Sequence, residues 1–213
     1  MKDYKALLSD HSETWQQAIE RYISFTKTDM KEYFSTPESY FFKDNDAYVY
    51  HKGVEYSEVY IDRFETEHKH HIPTDLSDLL LKHGCFSIGR GIFEIFPEAK
   101  GFLSLSEVFA MYNMGNIEDH ISANMLDSVN QYYYFFGVSF PQADEVSFLY
   151  FDKAGHLGTM YVHVENIDLT VKKTIPAMFS GKVDQYTLDT LMAMVVDRVI
   201  TNALIVKGFI KID

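Results

Sequence analysis

The residues best suited to chemistry in this 213-residue chain are a run of histidines and glutamates, one cysteine, and several paired carboxylates. His68, His70 and His71 stand beside Glu65 and Glu67 and form its richest local set of metal-ligand types. A zinc ion needs three or four ligands converging at about 2 Å, and residues two apart converge only on an extended segment. The run has no fixed ligand spacing, so it reads as the solvated end of a helix before Pro73. There is no HExxH, paired CxxC or calcium-loop pattern, and no cofactor is expected. Cys85 is a nucleophile only if a histidine folds against it; a small buried thiol is the simpler reading. Gly89-Arg90-Gly91 lacks the lysine and the strand-loop-helix order of a phosphate cradle, and no serine sits in a GxSxG elbow.

Carboxylates recur at Glu118-Asp119, Asp144-Glu145, Asp152, Glu165 and Asp168. A glycosidase would need two of them facing across a cleft. Two readings compete: solvated turns, or an acidic rim on which a partner docks. Tyr161 and His163 either line a concave sheet face beside that rim or pack under a helix. The candidate partner-binding set is therefore Asp144, Glu145, Asp152, Tyr161, His163, Glu165 and Asp168.

Nineteen basic against thirty-one acidic residues give a formal charge of −12, a field that repels phosphate backbones and anionic lipid. Nucleic acid and membrane are thus poor partners. The same field draws in cationic proteins, or serves solubility alone. No stretch approaches the ~20 apolar residues of a membrane helix, and the start MKDYKALLSDHSETW lacks the build of a signal peptide. With Cys85 as the single cysteine, a reducing, cytoplasmic setting is expected.

The elements that must position these residues follow from periodicity. Residues 4–34 are helical in pattern, one or two helices, with Leu7, Leu8, Trp15, Ile19, Tyr22, Ile23 and Phe25 apolar. Residues 47–56 suggest a hairpin turned at Lys52-Gly53. Residues 57–67 suggest a helix with Val59, Ile61 and Phe64 inward. Thr74 is the expected N-cap of a helix burying Leu76, Leu79 and Leu80 and ending at Gly84. Residues 86–96 read as two short strands around a glycine turn. Ser104 and Glu107 are spaced as a capping box for a short helix closed by Gly115 and Asn116. Residues 132–140, 146–151 and 157–164 form an antiparallel meander with one buried side, on which Met160, Val162 and Val164 share a face. A closing helix carries Leu188, Met192, Val195, Val199, Ala203 and Val206 at helical spacing.

The order of these pieces resembles the SUKH superfamily, the Smi/Knr-like proteins that include bacterial immunity proteins against polymorphic toxins. The resemblance runs from about Glu58 to Phe209. It rests on Ile72-Pro73 with Asp75, Leu76, Leu79, Leu80 and Lys82-His83-Gly84, on Ile92 to Pro97 with Leu105 to Val108, and on Val146 to Asp152 with Gly155, Gly158, Tyr161, Val162 and His163. It implies an α+β domain, a twisted antiparallel sheet flanked by helices, over residues 58–213. Residues 1–57 would be an N-terminal helical and hairpin elaboration. It also implies no catalytic site and a surface that binds a cognate partner, here a cationic toxin. A regulatory or scaffolding module of the same fold, and a hydrolase using carboxylates or histidines, are the other readings. On ligand spacing, purified protein is expected to carry no stoichiometric metal; elemental analysis finding one zinc per chain, lost on replacing His68 and His70, would refute this.

Overall fold

The computed structural model describes residues 7–8, 12–25, 56–88, 93–96, 101–142, 144–182 and 185–206. The expected hairpin over 47–56 and the glycine turn at 89–92 lie outside them. Among the described residues seven α-helices accompany a six-stranded open sheet, in order α1 (Trp15–Ser24), α2 (Glu58–His68), α3 (Thr74–His83), β1 (Phe86–Ile88), β2 (Phe93–Ile95), α4 (Leu105–Met111), α5 (Ala123–Tyr132), β3 (Tyr133–Gln142), β4 (Glu145–Asp152), β5 (Leu157–His163), α6 (Ile167–Phe179), β6 (Gln185–Tyr186) and α7 (Leu188–Val206). The strands lie side by side in chain order, each antiparallel to its neighbour. The class is α+β. No helix among the described residues is long and apolar enough to cross a membrane.

Local chemistry sets most helix boundaries. Ser57 accepts from the Tyr60 amide and starts α2. Ser104 and Glu107 form the expected capping box of α4. Three expectations shift. Thr74 is already helical, and Pro73 occupies the cap position without a side-chain bond; its fixed φ suits helix entry. Val59 is 75% exposed while Ile61 and Phe64 are buried, so α2 turns a narrower apolar stripe inward than its composition suggests. α4 also ends earlier than expected, at Tyr112, before Gly115 and Asn116.

The meander was expected to bury one side, but apolar cores lie on both faces of the sheet. Val146, Phe148 and Tyr150 of β4, with Met160 and Val162 of β5, pack under α4, α5 and α6. Leu149 and Phe151 face the opposite way and meet α1, α2, α3 and α7. A strand buried on both faces loses the alternation that would reveal its orientation. Val164 leaves the sheet in a short 3-10 turn (Val164–Asn166) and is exposed, unlike Met160 and Val162.

The closing helix buries Leu188, Met192, Val195 and Val199 as expected, and adds Leu191, Val196, Ile200 and Leu204. α1 packs against it and joins the same core through Trp15, Ile19, Tyr22 and Phe25. The Trp15 amide donates to Asp189 Oδ1 at 2.7 Å, and Arg21 pairs with Asp197 at 2.7 Å, so the two helices run parallel. The described part of the 1–57 elaboration thus shares a core with the rest of the chain. Each apolar side chain buried here contributes about 1.5–3 kcal/mol relative to exposure.

Two substitutions test this packing. Val195→Asp places an unpaired charge against the sheet and should remove several kcal/mol, ~3 or more; an unchanged melting temperature would mean the helix is not core. Gly158 sits opposite Tyr150 in the β4–β5 register, where an added Cβ would lie 2.5 Å from the phenol Cζ and hydroxyl. Gly158→Ala should therefore cost about 1–3 kcal/mol, and in a double-mutant cycle most of that cost should vanish in a Tyr150→Leu background.

Candidate functional site

One end of the sheet gathers most of the candidate residues. Asp144 lies on the turn between β3 and β4, Glu145 opens β4, and Tyr161 and His163 close β5. Antiparallel register places Glu145 opposite His163 and Ser147 opposite Tyr161. The side chains then lock crosswise. The Tyr161 hydroxyl donates to Glu145 Oε1 at 2.9 Å, and His163 Nε2 lies 3.1 Å from Asp144 Oδ2. The Val164 amide also donates to the Asp144 carbonyl at 2.8 Å, extending the ladder past the strand.

The start of α6 completes this end. Thr170 accepts from the His163 amide at 3.3 Å, and Thr174 donates to the Tyr161 carbonyl at 3.2 Å, so the helix is bonded directly to β5. Asp168, in its first turn, takes a 2.6 Å bond from Lys172 and lies 3.7 Å from His120 Nδ1. The Lys172 bond holds the Asp168 carboxyl below the ordinary carboxylate range. The bond to Glu145 pushes the Tyr161 phenol up. Glu165 is exposed and makes no ion pair among the described residues.

Asp152 belongs elsewhere. It lies seven residues along β4 from Glu145, about 23 Å at ~3.3 Å per residue. Its Oδ1 accepts from the amides of Ala154 and His156 at 2.8 and 2.9 Å, and its Oδ2 meets His156 Nδ1 at 3.0 Å. Those bonds shape the β4–β5 turn.

Beside the acidic end an open cleft of about 450 Å³ runs between the sheet and α7. Its floor is hydroxylated by Ser139, Ser147 and Thr159; Met194, Arg198 and Asn202 stand on the helix side. Ser147 pairs with Tyr161, so the floor adjoins the acidic end. The sequence reading missed these residues. No motif singles them out in the sequence.

The histidine run turns to three different partners. His68 Nδ1 is 2.7 Å from the Tyr134 hydroxyl, buried His70 bonds the His68 carbonyl at 3.0 Å, and His71 meets Glu65 at 3.0 Å. Glu65 also accepts from the Ile72 amide at 2.7 Å. Among the described residues no three His, Cys, Asp or Glu side chains gather as a metal-binding group. Cys85 is fully buried, burial pushes its thiol up, and Tyr56 is its hydrogen-bond partner.

Comparison of the chain with protein-family models, with curated proteins and with solved structures finds no match.

Proposed function

We propose that this protein is a stoichiometric binder of SUKH-like fold that captures and neutralises a cationic protein, a toxin such as a nuclease. The observation that carries this reading is the gathering of Asp144, Glu145, Glu165 and Asp168 at one end of the sheet, beside an open cleft, in a chain of formal charge −12. Proteins that hold phosphates are themselves cationic, so an acidic surface complements them. The order of a leucine-rich helix after Pro73, an antiparallel meander and a closing apolar helix supports the SUKH likeness. On this reading Asp144, Glu145, Glu165 and Asp168 steer the partner in, and Tyr161 with the cleft beside it makes the short-range contact.

The product of the neighbouring gene, mixed with this protein, should form a one-to-one complex whose formation abolishes the partner's toxicity. Neutralising Asp144 and Glu145 together (Asp144→Asn, Glu145→Gln) should slow association several-fold at low salt. The difference should fade as the Debye length falls from ~10 Å at 0.1 M to ~3 Å at 1 M. Tyr161→Ala should instead speed release, since short-range contacts govern dissociation. Stopped-flow binding across salt concentrations decides the matter: an association rate indifferent to both salt and these carboxylates leaves the negative charge no role beyond solubility. A complex that forms but leaves the partner active would favour a scaffolding role.

A further inference from the structure

A second cleft, of about 400 Å³, lies between α2, the segment leading into α4, and the start of β3. Its α2 wall is one helical face: Tyr60, Arg63, Phe64, Glu67 and His68 recur at three- and four-residue steps. Phe64 and Phe102 form a buried floor with ring centroids 4.7 Å apart, and Tyr134 stands edge-on to Phe64 at 4.9 Å. Tyr60 and Tyr134 are half-buried and reach the opening. This wall tolerates no side chain at Gly101, whose φ is +140° and whose Cβ would lie 1.8 Å from the Tyr60 hydroxyl.

Several of the polar groups around this floor are fixed through one atom and leave another unspent. The Tyr60 hydroxyl accepts from the Phe102 amide at 3.2 Å, and His68 Nδ1 meets the Tyr134 hydroxyl at 2.7 Å. Asn130 Oδ1 accepts from the Leu105 amide at 3.1 Å, which leaves its NH₂ group to donate. Glu107 Oε2 takes both Ser104 donors, at 2.8 and 2.7 Å, which leaves Oε1. Glu67 and Arg63 make no ion pair among the described residues. Tyr60, Tyr134, Asn130 and Glu107, held by their bonds, have little freedom left to lose when a ligand arrives.

From this arrangement we infer that the cleft is a binding site for a guanidinium or ammonium side chain carried on a peptide. Two carboxylates, Glu67 and Glu107, meet one cation, Arg63, over aromatic rings whose faces attract positive charge. An anionic side chain would face both carboxylates. Arg63 and the Asn130 amide suit the backbone carbonyls that accompany such a side chain. The volume is at the small end for ligand sites, enough for one side chain and its backbone but not for a folded segment. The inference does not depend on the acidic end of the sheet or on any partner docking there.

The test uses the intact protein and acetyl-arginine amide, with acetyl-glutamate amide and acetyl-norleucine amide as controls, followed by backbone amide shifts. The arginine compound should move the amides of 60–68 and 101–107 with a Kd on the order of millimolar, and the other two should not. Glu67→Gln with Glu107→Gln should weaken binding at least tenfold. Glutamine keeps the capping box, so an unchanged melting temperature separates lost binding from lost folding. Asp144→Asn with Glu145→Gln should leave arginine binding unchanged. Equal binding of the glutamate compound, shifts confined to other regions, or insensitivity to the Glu67 and Glu107 changes would overturn the inference.

Discussion

The double-sided burial of β4 constrains everything else in this molecule. Phe148, Leu149, Tyr150 and Phe151 are consecutive and all buried, so helices must cover both faces of the sheet. The connections decide which helix goes where. α4 and α5, inserted between β2 and β3, and α6, inserted between β5 and β6, pack on one face; α1 to α3 and α7, outside the run of strands, cover the other. A simple antiparallel meander acquires two cores in this way. The coverage is incomplete over parts of β4 and β5, where Ser147, Thr159 and Tyr161 are only half-buried. The candidate site is the part of the sheet that this packing leaves open.

Much of this was readable where a local signal was complete. The capping box of Ser104 and Glu107, the leucines of α3 and the long stripe of α7 each carry their own physical warrant, and the structure forms helices there. α5 and α6 went unread. Ser122 caps α5 by accepting from the Met125 amide, but Met125 cannot return the bond as a glutamate would, so half of the signature is missing. α6 contains Pro176, which removes one helical hydrogen bond and argues against a helix at that point. Val171, Ile175 and Met178 are nevertheless buried against the sheet, and that tertiary packing outweighs the local penalty.

The candidate site was legible to the same degree. Asp144, Glu145, Tyr161 and His163 meet because antiparallel register requires it once β4 and β5 are recognised. Asp168 joins them only because α6 starts immediately after β5, which needed the unread helix. Asp152 was grouped with them by residue type, yet a carboxylate two residues before a turn amide is well placed to bond that turn, and its bonds to Ala154 and His156 do so. The hydroxylated floor was missed because Ser139, Ser147 and Thr159 have no motif; they acquire meaning only when α7 is placed beside them.

Of the carboxylates at the open end, Asp144, Glu145 and Asp168 already have partners, which bears on how a partner protein could use them. Asp168 holds Lys172 and faces His120, Asp144 faces His163, and Glu145 accepts from Tyr161. Exposed pairs of this kind add little to stability because solvent screens them, so an incoming arginine displaces Lys172 from Asp168 at little cost and with little net gain. The carboxylates therefore contribute field more than contact energy. Binding energy has to come from surfaces that lose water, and this end has them. Leu169 is 69% exposed and Val164 43%, and both lie among Glu165, Asp168 and the β5 terminus. Apolar side chains flanked by carboxylates give an end at which long-range attraction and short-range burial reside in different residues and can be varied separately.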